Sequence, residues 1–151
     1  KTLIIMKKVT EKFVIERIKK HLAPQWQVVS EKDLHEKGCD LVLKDVFNKY
    51  EARFLIECKG KSYARSAKSV NENVWLYALG QLITRMKVIA PHAYKYGLGL
   101  PEVSAQKALR RIPWQIAHAK RLCLYIFSVD DKGTVKEYSP KDFKKSNQIN
   151  L

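Results

Sequence analysis

Two runs of sequence decide the fold: Gly38-Cys39-Asp40-Leu41-Val42-Leu43 and Leu55-Ile56-Glu57-Cys58-Lys59-Gly60. Both are short and apolar, as buried strands are, and the polar segment between them, with Asn48 and Lys49, suits the connection of an antiparallel hairpin. Strands are therefore predicted over 39–43 and 53–59. Alternation along the second puts Phe54, Ile56 and Cys58 on one face and Leu55, Glu57 and Lys59 on the other. Glu57 and Lys59 become same-face neighbours, and pairing of the two strands lets Asp40 converge on Glu57.

Upstream, Thr10 is placed to cap a helix over 11–22, with Phe13, Val14, Ile15, Ile18 and Leu22 as its apolar stripe and Pro24 as its stop. At about 100° per residue, Glu11 falls within that stripe and Glu16 projects away from it. A short β-rich run over 26–30 follows. Downstream, the helical period returns over 70–86, with Trp75, Leu79, Leu82, Ile83 and Met86 as its core stripe and Tyr77, Gln81 and Arg85 on another face. A strand over 94–100, helical segments within 102–121 broken by Pro113, and strands over 122–129 and 134–138 complete the pattern. Helix, three strands, helix, strand, further helix and two strands describe a single α/β domain with a central mixed sheet flanked by helices. Its core is expected over about 10–138, within a domain spanning 1–151. Residues 1–9 and 139–151 are expected as terminal extensions, and Met6 is a candidate natural start.

Composition narrows the function. The 151 residues carry 29 Lys and Arg against 15 Asp and Glu, a net charge of +14. So basic a small domain should attract polyanions, nucleic acid first. No apolar run has the length of a membrane span, and the start is too short in apolar residues for a secretory signal. Cys39, Cys58 and Cys123 have no paired spacing, and His21, His35, His92 and His118 form no metal-binding pattern, so the chain reads as a cytoplasmic, nucleic-acid-associated protein without disulfides or a zinc knuckle.

Seven of the fifteen acids, Glu31, Asp33, Glu36, Asp40, Asp45, Glu51 and Glu57, nevertheless lie within residues 31–57. Asp40 and Glu57 together offer hard oxygen donors to Mg²⁺ or Mn²⁺. Lys59 is placed to hold a water or meet charge on a scissile phosphate. Plainer readings stand beside these: Asp40 as a strand-end turn residue, Glu57 and Lys59 as a surface ion pair, and Glu11 as a first-turn partner of the helix dipole. The segment from Lys59 to Lys68 holds Lys61, Tyr63, Arg65 and Lys68 with no acid, a candidate strap over a nucleic-acid backbone. Arg110, Arg111, Lys120 and Arg121 are candidates to extend that track.

At Asp40 and at Glu57-Cys58-Lys59 the sequence resembles the PD-(D/E)XK nuclease superfamily, the restriction-endonuclease-like fold with an αβββαβ core. Cys39 stands where the name-giving proline would be. The resemblance implies a metal-dependent endonuclease hydrolysing phosphodiester bonds in DNA, in restriction, repair, recombination or mobile-element processing, and leaving 5′-phosphate and 3′-hydroxyl ends. It also implies a site in which Asp40, Glu57, the Cys58 backbone carbonyl and Glu11 hold the metal, with Glu16 as the alternative to Glu11. Lys59 and Gln81 complete the catalytic set, and Lys61, Tyr63, Arg65, Lys68, Tyr77 and Arg85 face nucleic acid. A symmetric homodimer would suit paired cuts, and an inactive binding module of the same fold is the second expectation.

Overall fold

The computed structural model describes residues 8–31, 38, 40–87 and 93–148. Elements run α1 (Glu11–Leu22), β1 (Trp26–Glu31), β2 (Leu41–Asp45), β3 (Arg53–Cys58), α2 (Lys68–Arg85), β4 (Tyr94–Pro101), α3 (Glu102–Arg111), α4 (Trp114–Ala117), β5 (Leu124–Val129), β6 (Val135–Tyr138) and α5 (Asp142–Gln148). The six strands form one mixed sheet in sequential order. β1, β2 and β3 are an antiparallel meander, β4 and β5 continue parallel to β3, and β6 closes antiparallel to β5. The sheet is thus α/β and flanked by helices, as the periodicity predicts.

Each face carries its own core. On one, Val14, Ile18 and Leu22 of α1 meet Leu41, Ile56 and Phe127. On the other, Ala78 and Leu82 of α2 and Leu109 of α3 meet Leu55 and Leu98. α1 starts where Thr10 Oγ1 accepts the Phe13 amide at 3.1 Å, and it ends at extended Ala23 before Pro24. The helix comes unusually close to β4: a Cβ on Gly99 would strike the Ile18 and Cys58 side chains. Burial of Val14 and Ile18 there contributes about 1.5–3 kcal/mol apiece.

Four expectations shift. Leu122 and Cys123 belong to a turn, Cys123 with φ 42°, so β5 begins only at Leu124. The first hairpin strand runs Leu41–Asp45, two residues later than its apolar run suggests. The α2 core stripe is Val74, Trp75, Ala78 and Leu82, while Ile83 is 54% exposed. This helix is apolar around much of its circumference, so the sheet it meets decides which side is buried. Finally, the segment after 138 carries α5, whose Phe143 is fully buried. Asn147 there accepts the Trp114 amide at 2.8 Å and donates to the Leu109 carbonyl at 2.9 Å, fastening α5 to α3 and α4.

Candidate metal centre

β2 and β3 pair with Leu41 opposite Ile56. One residue further, that register sets Asp40 opposite Glu57 at the C-terminal end of β3. Asp40 Oδ2 accepts the Cys58 amide at 2.8 Å, replacing the partner that β2 no longer provides. On its other side β3 continues into the ladder with β4 through the Lys59 amide and the Gly99 carbonyl at 2.9 Å. Because the N–H and C=O of one strand residue point to the same side, the Cys58 carbonyl also faces the Asp40 edge. Asp40 therefore has the strand-end role of its plainer reading.

Glu57 shares the Leu55 face, toward α2, and is 2% exposed. Its Oε1 stands 3.7 Å from Arg85 Nε at the end of α2, which sets an opposite charge beside the buried carboxylate. Glu11 enters from α1. Its Oε1 is 4.0 Å from Lys59 Nζ, and both side chains are partly buried. Burial pushes the Glu11 carboxyl above its usual range, the negative Asp40 pushes it further, and Lys59 pulls in the opposite direction. Two carboxylates and an ammonium group thus meet where the first helix passes the end of the third strand.

A close backbone approach produces that meeting. A Cβ on Gly60 would collide with the Glu11 amide and the Thr10 carbonyl carbon, so only glycine lets the chain leave β3 against the start of α1. The following residues are stitched to the same helix: the Lys61 amide donates to the Val9 carbonyl at 2.6 Å, and the Val9 amide donates to Tyr63 Oη at 2.6 Å. Lys8 and Lys61 lie over the Tyr63 ring, 5.5 and 5.8 Å from its centroid. The Asn71 side chain closes the segment, accepting the Ser62 amide at 2.7 Å and donating to the Ser62 carbonyl at 2.8 Å. The strap read from the sequence is therefore a fastened loop, and Tyr63 is one of its pins. Asn71 and Gly60 are the residues sequence reasoning missed; the small residue directly after the Glu-Cys-Lys run was the available signal for Gly60.

The remaining site residues are distributed unevenly. Arg65 and Lys68 are exposed beside the loop, and Lys61 Nζ lies 4.0 Å from Asp131 Oδ1. Tyr77 and Gln81 stand on the solvent side of α2, away from Glu11 and Lys59, whereas Arg85 reaches Glu57. Glu16 projects outward and pairs with Lys19 at 3.3 Å. The acid-rich stretch also disperses: Asp45 accepts the Phe47 amide in a turn, Glu31 pairs with Lys19 and Glu51 with Arg53. Cys39, Asp33, Glu36, His35, His92 and Met6 lie outside the described residues.

Among the described residues, no three His, Cys, Asp or Glu side chains stand together closely enough to hold a metal ion. Nor is any described helix long and apolar enough to cross a membrane. In comparison with known proteins, no family model, no curated protein and no solved structure matches the chain.

Proposed function

We propose that this protein is a metal-dependent nuclease of the restriction-endonuclease-like fold, hydrolysing phosphodiester bonds in DNA. The observation that supports the reading is the β2–β3 register, which ends with Leu41 opposite Ile56, one residue short of Asp40 and Glu57, together with Lys59 Nζ 4.0 Å from Glu11 Oε1. Carboxylate crowding of this kind costs stability in a chain of +14, and a bound Mg²⁺ or Mn²⁺ would relieve it. Asp40 and Glu11 fit as its oxygen donors, the Cys58 carbonyl faces the same edge, and Glu57 would join when Arg85 turns to a phosphate. A divalent ion bound there would neutralise charge building on the phosphate oxygens. Lys59 donates to the attacking water and orients it toward phosphorus. Lys61, Arg65 and Lys68 supply cations along the backbone of the DNA. A nucleic-acid-associated, cytoplasmic setting follows from the same reading.

A second reading is favoured by one specific observation, the buried Glu57 carboxylate facing Arg85. If Arg85 replaces the metal permanently, the fold clasps nucleic acid without cutting it. Calorimetric titration with Mn²⁺, together with cleavage of linear duplex, single strand, flap and four-way junction, separates the two. The nuclease reading requires Mn²⁺ binding that is lost in Asp40→Asn and cleavage that is lost in Asp40→Asn and Lys59→Ala. Salt-sensitive binding without either property would leave the binding module.

A further inference from the structure

We infer that the end of α3, α4, the turn before β5 and α5 together form a second phosphate-binding surface, which holds the DNA backbone at a place separate from the candidate metal centre. Its cations are Arg111, Lys120, Arg121, Lys141, Lys144 and Lys145, all exposed. They meet because α5 is fastened to α3 and α4. The Asn147 side chain accepts the Trp114 amide at 2.8 Å and donates to the Leu109 and Ile112 carbonyls at 2.9 and 3.1 Å. Lys144 Nζ lies over the Trp114 ring, 5.0 Å from its centroid. Lys120 and Arg121 follow α4 in a turn closed by the Leu122 and Cys123 amides on the Ala119 carbonyl, at 2.9 and 2.8 Å.

Charge on this layer is unbalanced within the chain. Elsewhere cations are matched: Lys19 pairs with Glu16 and Glu31, Arg53 with Glu51, Arg85 with Glu57 and Lys107 with Glu72. Residues 103–129, by contrast, contain no Asp or Glu. Among the described residues, no carboxylate lies within 4.0 Å of any of the six cations. The acid nearest in sequence to the three lysines, Asp142, accepts the Ser139 amide at 2.7 Å. Helix dipoles do not account for the grouping. Arg111 suits the C-terminal end of α3, but Lys141 precedes the first turn of α5, where a cation is disfavoured. Like charges gathered in this way repel one another until an anion covers them.

The fold separates these cations from the loop after β3, although the sequence suggests one continuous track. That loop leaves the sheet where the Lys59 amide meets the Gly99 carbonyl, whereas Lys120 and Arg121 come just before Leu124, which lies beside Tyr96 at the other end of the strands. The six residues of β5 span about 20 Å between the two ends. At about 3.4 Å per base pair, that is roughly six base pairs of duplex. Backbone contacts at two such places fix how a duplex lies on the protein without reading its bases. A bilayer is a poorer match. Helices that lie on membranes offer a long amphipathic face, while α4 and α5 have four and seven residues and Trp114 is half-buried. The inference rests on the nucleic-acid partner proposed above, and neither metal binding nor cleavage enters it.

Fluorescence anisotropy of a labelled duplex of about 24 base pairs, titrated with the full chain in EDTA at several salt concentrations, tests it. The triple variant Lys120→Gln, Arg121→Gln, Lys144→Gln should flatten the slope of log affinity against log salt by about 2–3 and weaken binding at least tenfold at about 0.1 M salt. The double variant Lys141→Gln, Lys145→Gln, which spares the Trp114 contact, should flatten it by about 1–2. A control triple variant, Lys20→Gln, Lys49→Gln, Lys136→Gln, removes the same charge from exposed sites on other elements and should change the slope by less than about 1. Thermal melts by circular dichroism should match wild type in all three. Equal flattening in the two triple variants would reduce the effect to net charge and overturn the proposal. A wild-type slope in the first variant would overturn it too, as would loss of binding to phosphatidylserine vesicles with DNA binding unchanged. Absence of Mn²⁺ binding and cleavage alongside the expected slopes would remove the nuclease reading and leave this surface standing.

Discussion

The two ends of the sheet hold charge in opposite ways. At the far end, where β3 begins, Trp26 and Phe54 meet edge to face with centroids 5.1 Å apart, and Tyr125 lies against the other side of Phe54 at 5.3 Å. Lys95 sits over both outer rings, 5.8 Å from Trp26 and 5.3 Å from Tyr125. Asp45 nearby accepts the Phe47 amide and a Gln25 side-chain N–H. Lys95 thus rests against ring faces and Asp45 against neutral dipoles, arrangements that folding alone rewards. At the other end Glu11 is partly buried and feels the negative Asp40, with Lys59 Nζ 4.0 Å from its Oε1. Burial and a like charge both disfavour the ionised Glu11, and the proposed metal site rests on that contrast.

The sharpest way to break this contrast is chemical. Asp40→Asn should lower cleavage by about 1000-fold in the presence of Mn²⁺ while leaving the fold intact, as followed by initial rates and circular dichroism. Phe54→Ala should do the reverse: a loss of about 3–5 kcal/mol in urea unfolding, with Mn²⁺ affinity retained in the folded fraction. Comparable losses of Mn²⁺ affinity in both variants would mean that the ends are not distinct.

Gly60→Ala tests the backbone approach that assembles the charged end. The added methyl group should cost about 1–3 kcal/mol in the same unfolding assay and weaken Mn²⁺ binding as well, since Glu11 can no longer keep its place beside Lys59.

A gentler test uses the titration of Glu11. Its folded pKa lies above the unfolded value of 4.5, so the native state binds the extra proton between those two values and loses stability as pH rises through the window. Below pH 4.5 the group is protonated in both states and contributes nothing. Without divalent ions, Glu11→Gln should then melt above wild type at pH 7 and level with it at pH 4. Adding Mn²⁺ at pH 7 should raise the wild-type midpoint more than that of Glu11→Gln, and an equal rise in both would remove Glu11 from the ion's surroundings. The smallest effect is reserved for Tyr63→Phe. Losing the hydrogen bond to Val9 should cost about 1 kcal/mol, and the salt dependence of DNA binding should be unchanged if Tyr63 is a pin.

What is legible in the sequence follows from local period. Thr10, the α1 stripe and Pro24 bound that helix because capping, amphipathicity and the proline stop act within a few residues of one another. Alternation in β3 likewise placed Glu57 on the Leu55 face. Ile83 went astray because α2 is apolar on more than one side, and its burial was decided by β3 and β4. α5 was illegible for a related reason: a polar seven-residue helix is held by the buried Phe143 and by Asn147, whose hydrogen-bond partners lie 33 to 38 positions away.

Composition, element order and the pairing of an aspartate with a Glu-Cys-Lys strand are properties of the sequence itself, set by charge and by side-chain alternation over a few residues. Only the tertiary structure could bring Glu11 against Lys59 and turn Tyr63 into a clasp on Val9. Those contacts join segments tens of residues apart, and their geometry is set by how closely two backbones can pass, which no local period encodes.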